Sequence, residues 1–254
     1  GEGNDFIQGI EDVFTGAGND VLVGNAEANN LYAGAGNDVV TGGAGNDGFD
    51  CGGQAGDTVS YATSTDALAI NLQTNTVEGA LSGSDELFGC LNAVGGAGND
   101  VIFGDSGNNR LVGGAGKDAI VGGAGNDVLV GGADNDSLSG LGGIDTVDYS
   151  DSMSAVSVNL TTMKATGAGT DILREVENIV GGEAGIGQGF TLAQKPYSRG
   201  ASVSQNVTGC LSVKRILTML LPLLKPYFHG TTRRTGAPFC LGRISPYMPK
   251  ASKV

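Results

Sequence analysis

Through residue 183 the chain has no proline and no histidine, and only four basic residues. Its one histidine, His229, lies beyond that point and no HExxH occurs, which excludes zinc-protease chemistry of that type in this chain. No GxSxG nucleophile elbow is present either. The most apolar stretch, ILTMLLPLL from Ile216, contains Pro222 and falls far short of the ~20 residues needed to cross a bilayer. Acidic residues are plentiful, but their regular spacing makes them ligands or surface, not a glycosidase dyad. Gly1 falls inside a repeat-like GEGND with no initiator methionine. The chain therefore reads as a fragment or processed piece, and a parent's catalytic domain would lie outside it.

What the chain has instead is one carboxylate recurring every nine residues. Asp100, Asp118, Asp127, Asp136 and Asp145 share a register, with Asn109 in the gap. The same register runs earlier through Asp20, Asn29, Asp38 and Asp47, slips by one residue at Cys51, and resumes at Asp57. The surrounding text, GGAGNDVLV from Gly122 to Val130, fits GGxGxDxUx with U a large apolar residue. Glycine supplies positive φ and close backbone approach in a six-residue turn, and the apolar position anchors a three-residue strand. Two residues past each Asp or Asn come Leu22, Leu31, Val40, Phe49, Val59, Ile102, Leu111, Ile120, Leu129, Leu138 and Val147. All are expected to point inward.

A nine-residue unit cannot bury its apolar residue alone, so the units must stack into an all-β parallel solenoid with rungs roughly 4.8 Å apart. Stacked turns bring glycine-loop carbonyls and one carboxylate per turn into a column. Hard oxygen donors of that kind suit Ca²⁺. Turn chemistry in a cation-free solenoid would explain Gly and Asn, but not an acidic residue in nine of eleven slots.

These residues closely resemble the RTX (repeats-in-toxin) hemolysin-type calcium-binding nonapeptides. The resemblance implies a right-handed parallel β-roll with two nonapeptides per coil, each ion held between one turn and the turn two units later. It assigns side-chain oxygens to Asp20, Asp38, Asp47, Asp57, Asp100, Asp118, Asp127, Asp136 and Asp145. Gly16, Gly18, Gly34, Gly36, Gly43, Gly45, Gly96, Gly98, Gly114, Gly116, Gly123 and Gly125 fall in the carbonyl-donating loops. Asn29 and Asn109 depart from the motif: an amide keeps an oxygen but removes a charge, which implies weaker sites. Block lengths suggest about seven ions. The resemblance also implies type I secretion in the unfolded state, with folding outside the cell.

A longer pattern joins the blocks. DTVSY at Asp57 aligns with DTVDY at Asp145, AINL at Ala69 with SVNL at Ser157, and DELFGCLNAV at Asp85 with DILREVENIV at Asp171 and DFIQGIEDV at Asp5. Alternating apolar and polar residues there predict short half-buried strands that continue or cap the solenoid. Tyr61 and Tyr149 occupy matched slots and read as core. Cys90 stands where Ile10 and Val176 stand in the other copies, so a buried thiol is expected, Cys51 is placed in a widened turn, and no Cys51–Cys90 bridge is expected.

Charge breaks sharply after residue 183. Residues 1–183 hold all 27 acidic groups against four basic ones, net −23, while the remainder holds ten Lys and Arg, no acid and all six prolines. Repeat logic stops at GGEAGI from Gly181. The tail is a distinct C-terminal region, a secretion signal, or sequence foreign to the native protein. Disorder or loose docking on the acidic body is its simplest state; a membrane-surface helix around Ile216 is the alternative, and nothing aromatic or finger-like points to nucleic acid.

The organisation expected is a repeat block over 1–57, an inter-block β segment over 58–94, a second block over 95–145, a second β segment over 146–183, and the tail over 184–254. The function expected is non-catalytic calcium binding in a secreted module. Two kinds of parent fit it: an adhesin or structural spacer, and a secreted hydrolase, epimerase or toxin whose noncatalytic C-terminal part this would be.

Overall fold

The computed structural model describes residues 9–167 and 169–181. The expectations for Asp5 and for the tail, with Cys210, Cys240 and His229, lie outside the described residues. Within them every regular element is a strand. In the first block these are β1 (Asp12–Phe14), β2 (Val21–Val23), β3 (Asn30–Tyr32), β4 (Val39–Thr41), β5 (Gly48–Asp50) and β6 (Thr58–Ser60). Then come β7 (Leu68–Asn71), β8 (Thr76–Gly79), β9 (Gly83–Phe88) and β10 (Asn92–Val94). The second block supplies β11 (Val101–Phe103), β12 (Arg110–Gly114), β13 (Ala119–Ala124), β14 (Val128–Gly132), β15 (Ser137–Gly142) and β16 (Thr146–Tyr149). The last are β17 (Ser157–Asn159), β18 (Lys164–Thr166), β19 (Thr170–Arg174) and β20 (Asn178–Gly181).

Alternate strands go to opposite sheets, as two nonapeptides per coil require. One sheet runs β2-β4-β6-β10-β12-β14-β16-β20, the other β1-β3-β5-β9-β8-β7-β11-β13-β15-β19-β18-β17. Pairing between coils is parallel and stacks like on like: Ile102, Ile120, Leu138 and Leu173 are in register on one sheet, and Leu111, Leu129, Val147 and Ile179 on the other. A three-residue strand sends its middle side chain in and its flanks out. All eleven anchors are accordingly buried, none more than 3 % exposed, and each stabilises the roll by roughly 1.5–3 kcal/mol.

The turns carry a ladder of their own. Asn at the fifth turn position accepts, through its side-chain oxygen, the backbone N–H one coil later: Asn99 from Lys117 at 2.8 Å, Asn108 from Asn126 at 2.7 Å and Asn126 from Ile144 at 2.8 Å. This accounts for the Asn of the recurring GND.

The inter-block segments do continue the solenoid, with one rearrangement. β9, not β7, lies on β5, and β7 lies on β11, with β8 antiparallel between them. The second segment repeats the device, with β18 antiparallel to both β17 and β19.

That rearrangement corrects the reading of the cysteines: Cys51 and Cys90 form a disulfide, with Cα atoms 5.0 Å apart. Cys51 donates its N–H to the Phe88 carbonyl, which carries the chain of β9 over the widened turn and sets Cys90 beside it. Linear alignment of the copies could not show this, because it pairs Cys90 with Val176 and says nothing of which strand lies on β5. Both cysteines are buried.

Closing a loop of 39 residues constrains the unfolded chain by about 4 kcal/mol. Cys51→Ala/Cys90→Ala is expected to lose about that much in equilibrium unfolding, and the wild-type pair to resist alkylation until reduced. Free alkylation of native Cys90 would show that the bridge does not form.

Candidate metal centre

Each turn precedes a strand, so stacking the strands stacks the turns. Two carboxylate columns result. One runs through Asp20, Asp38 and Asp57 and later through Asn109, Asp127 and Asp145; the other runs through Asn29 and Asp47 and later through Asp100, Asp118 and Asp136.

The columns are stitched by one repeated bond, in which each carboxylate Oδ1 accepts the backbone N–H of its counterpart one coil earlier. Asp118 accepts from Asp100 at 2.8 Å, Asp127 from Asn109 at 2.8 Å, Asp136 from Asp118 at 3.0 Å and Asp145 from Asp127 at 2.9 Å. In the first block Asp38 accepts from Asp20 and Asp47 from Asn29, both at 2.8 Å.

The other oxygen divides the turns into two kinds. Oδ2 of Asp38, Asp47, Asp118, Asp127, Asp136 and Asp145 is buried with no hydrogen-bond partner. These six belong to turns whose second and fourth residues hold positive φ: Gly34 and Gly36, Gly43 and Gly45, Gly114 and Gly116, Gly123 and Gly125, Gly132 and Asp134, Leu141 and Gly143. Four of the remaining five turns close on themselves. Asp100 Oδ2 accepts from Gly96 N–H, Asn29 Oδ1 from Asn25 N–H and Asn109 Oδ1 from Asp105 N–H, each at 2.8 Å. Asp57 has both oxygens occupied, by the N–H groups of Asp38 and Gln54. Asp20 is half-buried at the first rung.

Glycine is needed in the open turns for a second reason. A Cβ on Gly114, Gly116, Gly123 or Gly125 would lie under 3.0 Å from the carbonyl oxygen of Gly96, Gly98, Asp105 or Gly107, one coil earlier. The carbonyls of the lower turn thus point into the upper one. The first glycine of each unit, absent from the sequence-derived site, also matters. A Cβ on Gly113, Gly122, Gly131 or Gly140 would collide with the orphaned oxygen of Asp118, Asp127, Asp136 or Asp145. The GG dipeptide was the available signal.

Sequence reading also missed the ends of the columns. Asp47 N–H donates to Asp85 at 2.9 Å, Asp136 N–H to Asp171 at 3.1 Å and Asp145 N–H to Glu177 at 3.0 Å. The shared Asp of DELFGCLNAV and DILREVENIV marked two of these three.

Electrostatically the columns are frustrated. Burial pushes the Asp136 carboxyl up to about 7, with Asp171, Asp118 and Asp134 adding repulsion. Asp118 and Asp127 rise to about 6, again chiefly through burial. Burial also raises Asp47 and Asp145. Among the described residues no group of three or more His, Cys, Asp or Glu is placed to hold a metal. The donors are instead one carboxylate oxygen per turn with backbone carbonyls, an all-oxygen set that fits Ca²⁺ and not a thiolate- or imidazole-seeking metal.

A parallel roll with a buried, donorless carboxylate oxygen above inward-turned carbonyls has the make-up of a calcium-binding repeat. Residues 14–49, 92–120 and 112–147 match the family described as RTX calcium-binding nonapeptide repeat (4 copies), and the chain carries these repeats. The matched repeat is a noncatalytic calcium-binding module. No match is found among curated proteins.

The raised carboxyls set a pH dependence for the calcium-free protein. Their folded-state values exceed the ordinary 3.8, so the folded state holds more protons than the unfolded state between about pH 4 and 7. Stability is then greatest below that window and is lost as pH rises through it. In excess chelator the β signal in circular dichroism is expected to fall from pH 4 to 7, and added calcium to restore it. A signal that grows with pH in chelator would contradict this.

Proposed function

We propose that this chain is a calcium-dependent extracellular module whose folding is coupled to binding of six Ca²⁺ ions. The observation carrying this reading is the coincidence of six orphaned Oδ2 atoms with the six turns opened by positive φ. Each ion would be held by Asp38, Asp47, Asp118, Asp127, Asp136 or Asp145 together with loop carbonyls of the turn one coil earlier. For the four turns over glycine loops these are Gly16 and Gly18, Gly96 and Gly98, Gly114 and Gly116, and Gly123 and Gly125. Asn25 and Glu27 take those positions beneath the Asp47 turn, and Asp105 and Gly107 beneath the Asp127 turn. The total is one fewer than block length suggests, because Asp57 is saturated by Gln54 and Asp38.

Bound calcium supplies positive charge where the protein has no donor. Six divalent ions bring 12 charges against the net −23 of residues 1–183. Sites of extracellular-module affinity, about 10⁻⁴ to 10⁻³ M, would stay empty in a calcium-poor cytosol and fill outside. Export in the unfolded state by type I secretion machinery follows from the family resemblance. The Cys51–Cys90 disulfide supports an oxidising destination independently.

Removing calcium near neutral pH is expected to abolish most of the β signal, and an unchanged spectrum in excess chelator would overturn coupled folding. Asp127 lies between two partners of its column, accepting from Asn109 and donating to Asp145. Asp127→Ala should therefore weaken neighbouring sites as well as its own. Calorimetric loss of one independent site, with the others unchanged, would refute the stacked arrangement.

A further inference from the structure

Asp85 and Asp171 continue a carboxylate column, yet neither has an orphaned oxygen. Each gives Oδ1 to the column, accepting from Asp47 and Asp136 N–H. Each gives Oδ2 to a buried tyrosine: Tyr61 O–H donates to Asp85, and Tyr149 O–H donates to Asp171 at 2.8 Å. Tyr61 and Tyr149 are 2 % and 5 % exposed.

The slot these tyrosines occupy is informative. Counting four residues on from Asp57 and Asp145 gives the first position of the next unit. In five of the six open turns that position is glycine, with Ala33 in the Asp38 turn, and at those glycines the space a Cβ would take lies against the orphaned oxygen. At Tyr61 and Tyr149 a phenol occupies it, and the carboxylate it meets comes 24 and 22 residues later. The intervening chain is a hairpin. The residues just before Asp85 and Asp171 belong to β8–β9 and β18–β19, whose backbones pair antiparallel, Gly79 with Gly83 and Thr166 with Thr170.

We propose that Tyr61 and Tyr149 replace the cation at the end of each block. The small first residue of the open turns, glycine or Ala33, offers the carboxylate no donor, whereas tyrosine in the matched slot satisfies the column's next carboxylate with a hydroxyl. In the column of Asp47 and Asp136 each block thus ends in a rung that is closed without metal, so these rungs form calcium-independent seams between calcium-dependent blocks. This rests on the calcium reading above and adds a limit to it: Asp85 and Asp171 bind no ion.

The test counts calcium per full-length chain by native mass spectrometry in saturating CaCl₂, and measures unfolding in the same buffer. Wild type should hold six ions, and a count of eight would overturn the proposal. Asp85→Asn and Asp171→Asn should keep the wild-type count, whereas Asp127→Asn should lower it. Tyr61→Phe and Tyr149→Phe keep the ring and remove only the donor. They should unfold at lower denaturant while losing no ion, and gain of an ion would equally support a carboxylate released from its hydroxyl. Loss of an ion from Asp85→Asn or Tyr61→Phe would overturn the proposal while leaving calcium binding intact. A wild-type chain with no bound calcium would overturn both.

Discussion

A carboxylate with one oxygen committed and one oxygen left over governs this fold. Oδ1 accepts an N–H from the coil below, which fixes coil-to-coil spacing and register. Oδ2 is thereby turned into a dry space with no donor. Desolvating a carboxylate without a partner costs several kcal/mol, and stacking such groups multiplies the cost. The column is tolerable only if a proton or a cation enters, so the geometry that holds the roll together also makes it conditional.

Other features serve that arrangement. Strands as short as three residues suffice in the first block because each adds one apolar anchor to a continuous core. Glycine at the second and fourth turn positions permits both the positive φ and the close approach of the carbonyl below. The Asn ladder holds the outer edge of the turns in register without adding charge. The backbone bonds that stitch the turns within a block span one coil, so assembly resembles nearest-neighbour stacking, in which each ordered coil templates the next.

The seams follow different physics. At the end of the first block the Gln54 N–H and the Tyr61 hydroxyl give carboxylate oxygens the donors that the open turns lack, and a disulfide adds a covalent tie. In the second block Tyr149 donates to Asp171, while Glu177 accepts the N–H of Asp145 and so continues the ladder of acceptors. At the first, the antiparallel strand β8 interrupts one parallel sheet while the other passes through unbroken; at the second, β18 and β17 end the described part of their sheet.

Much of this was legible in the residues. The nine-residue period determined the strand positions and the inward anchors, because period and residue type act locally, while the strands of the second block, β12 to β15, run on to five or six residues. Matching Tyr61 with Tyr149 and Asp85 with Asp171 was also legible, but not that each tyrosine meets each aspartate, since 24 and 22 residues of hairpin separate them. The Cys51–Cys90 bridge was misread for the same reason: it depends on β9 displacing β7 above β5, a choice between two compatible strands that no local pattern encodes. Which carboxylates keep a free oxygen was likewise decided in three dimensions. Asp100 and Asp118 stand in near-identical text, GGAGND and GGAGKD. Asp100 turns back to the N–H of Gly96, whereas the turn of Asp118 lies on the turn beneath it, and its second oxygen is left without a donor.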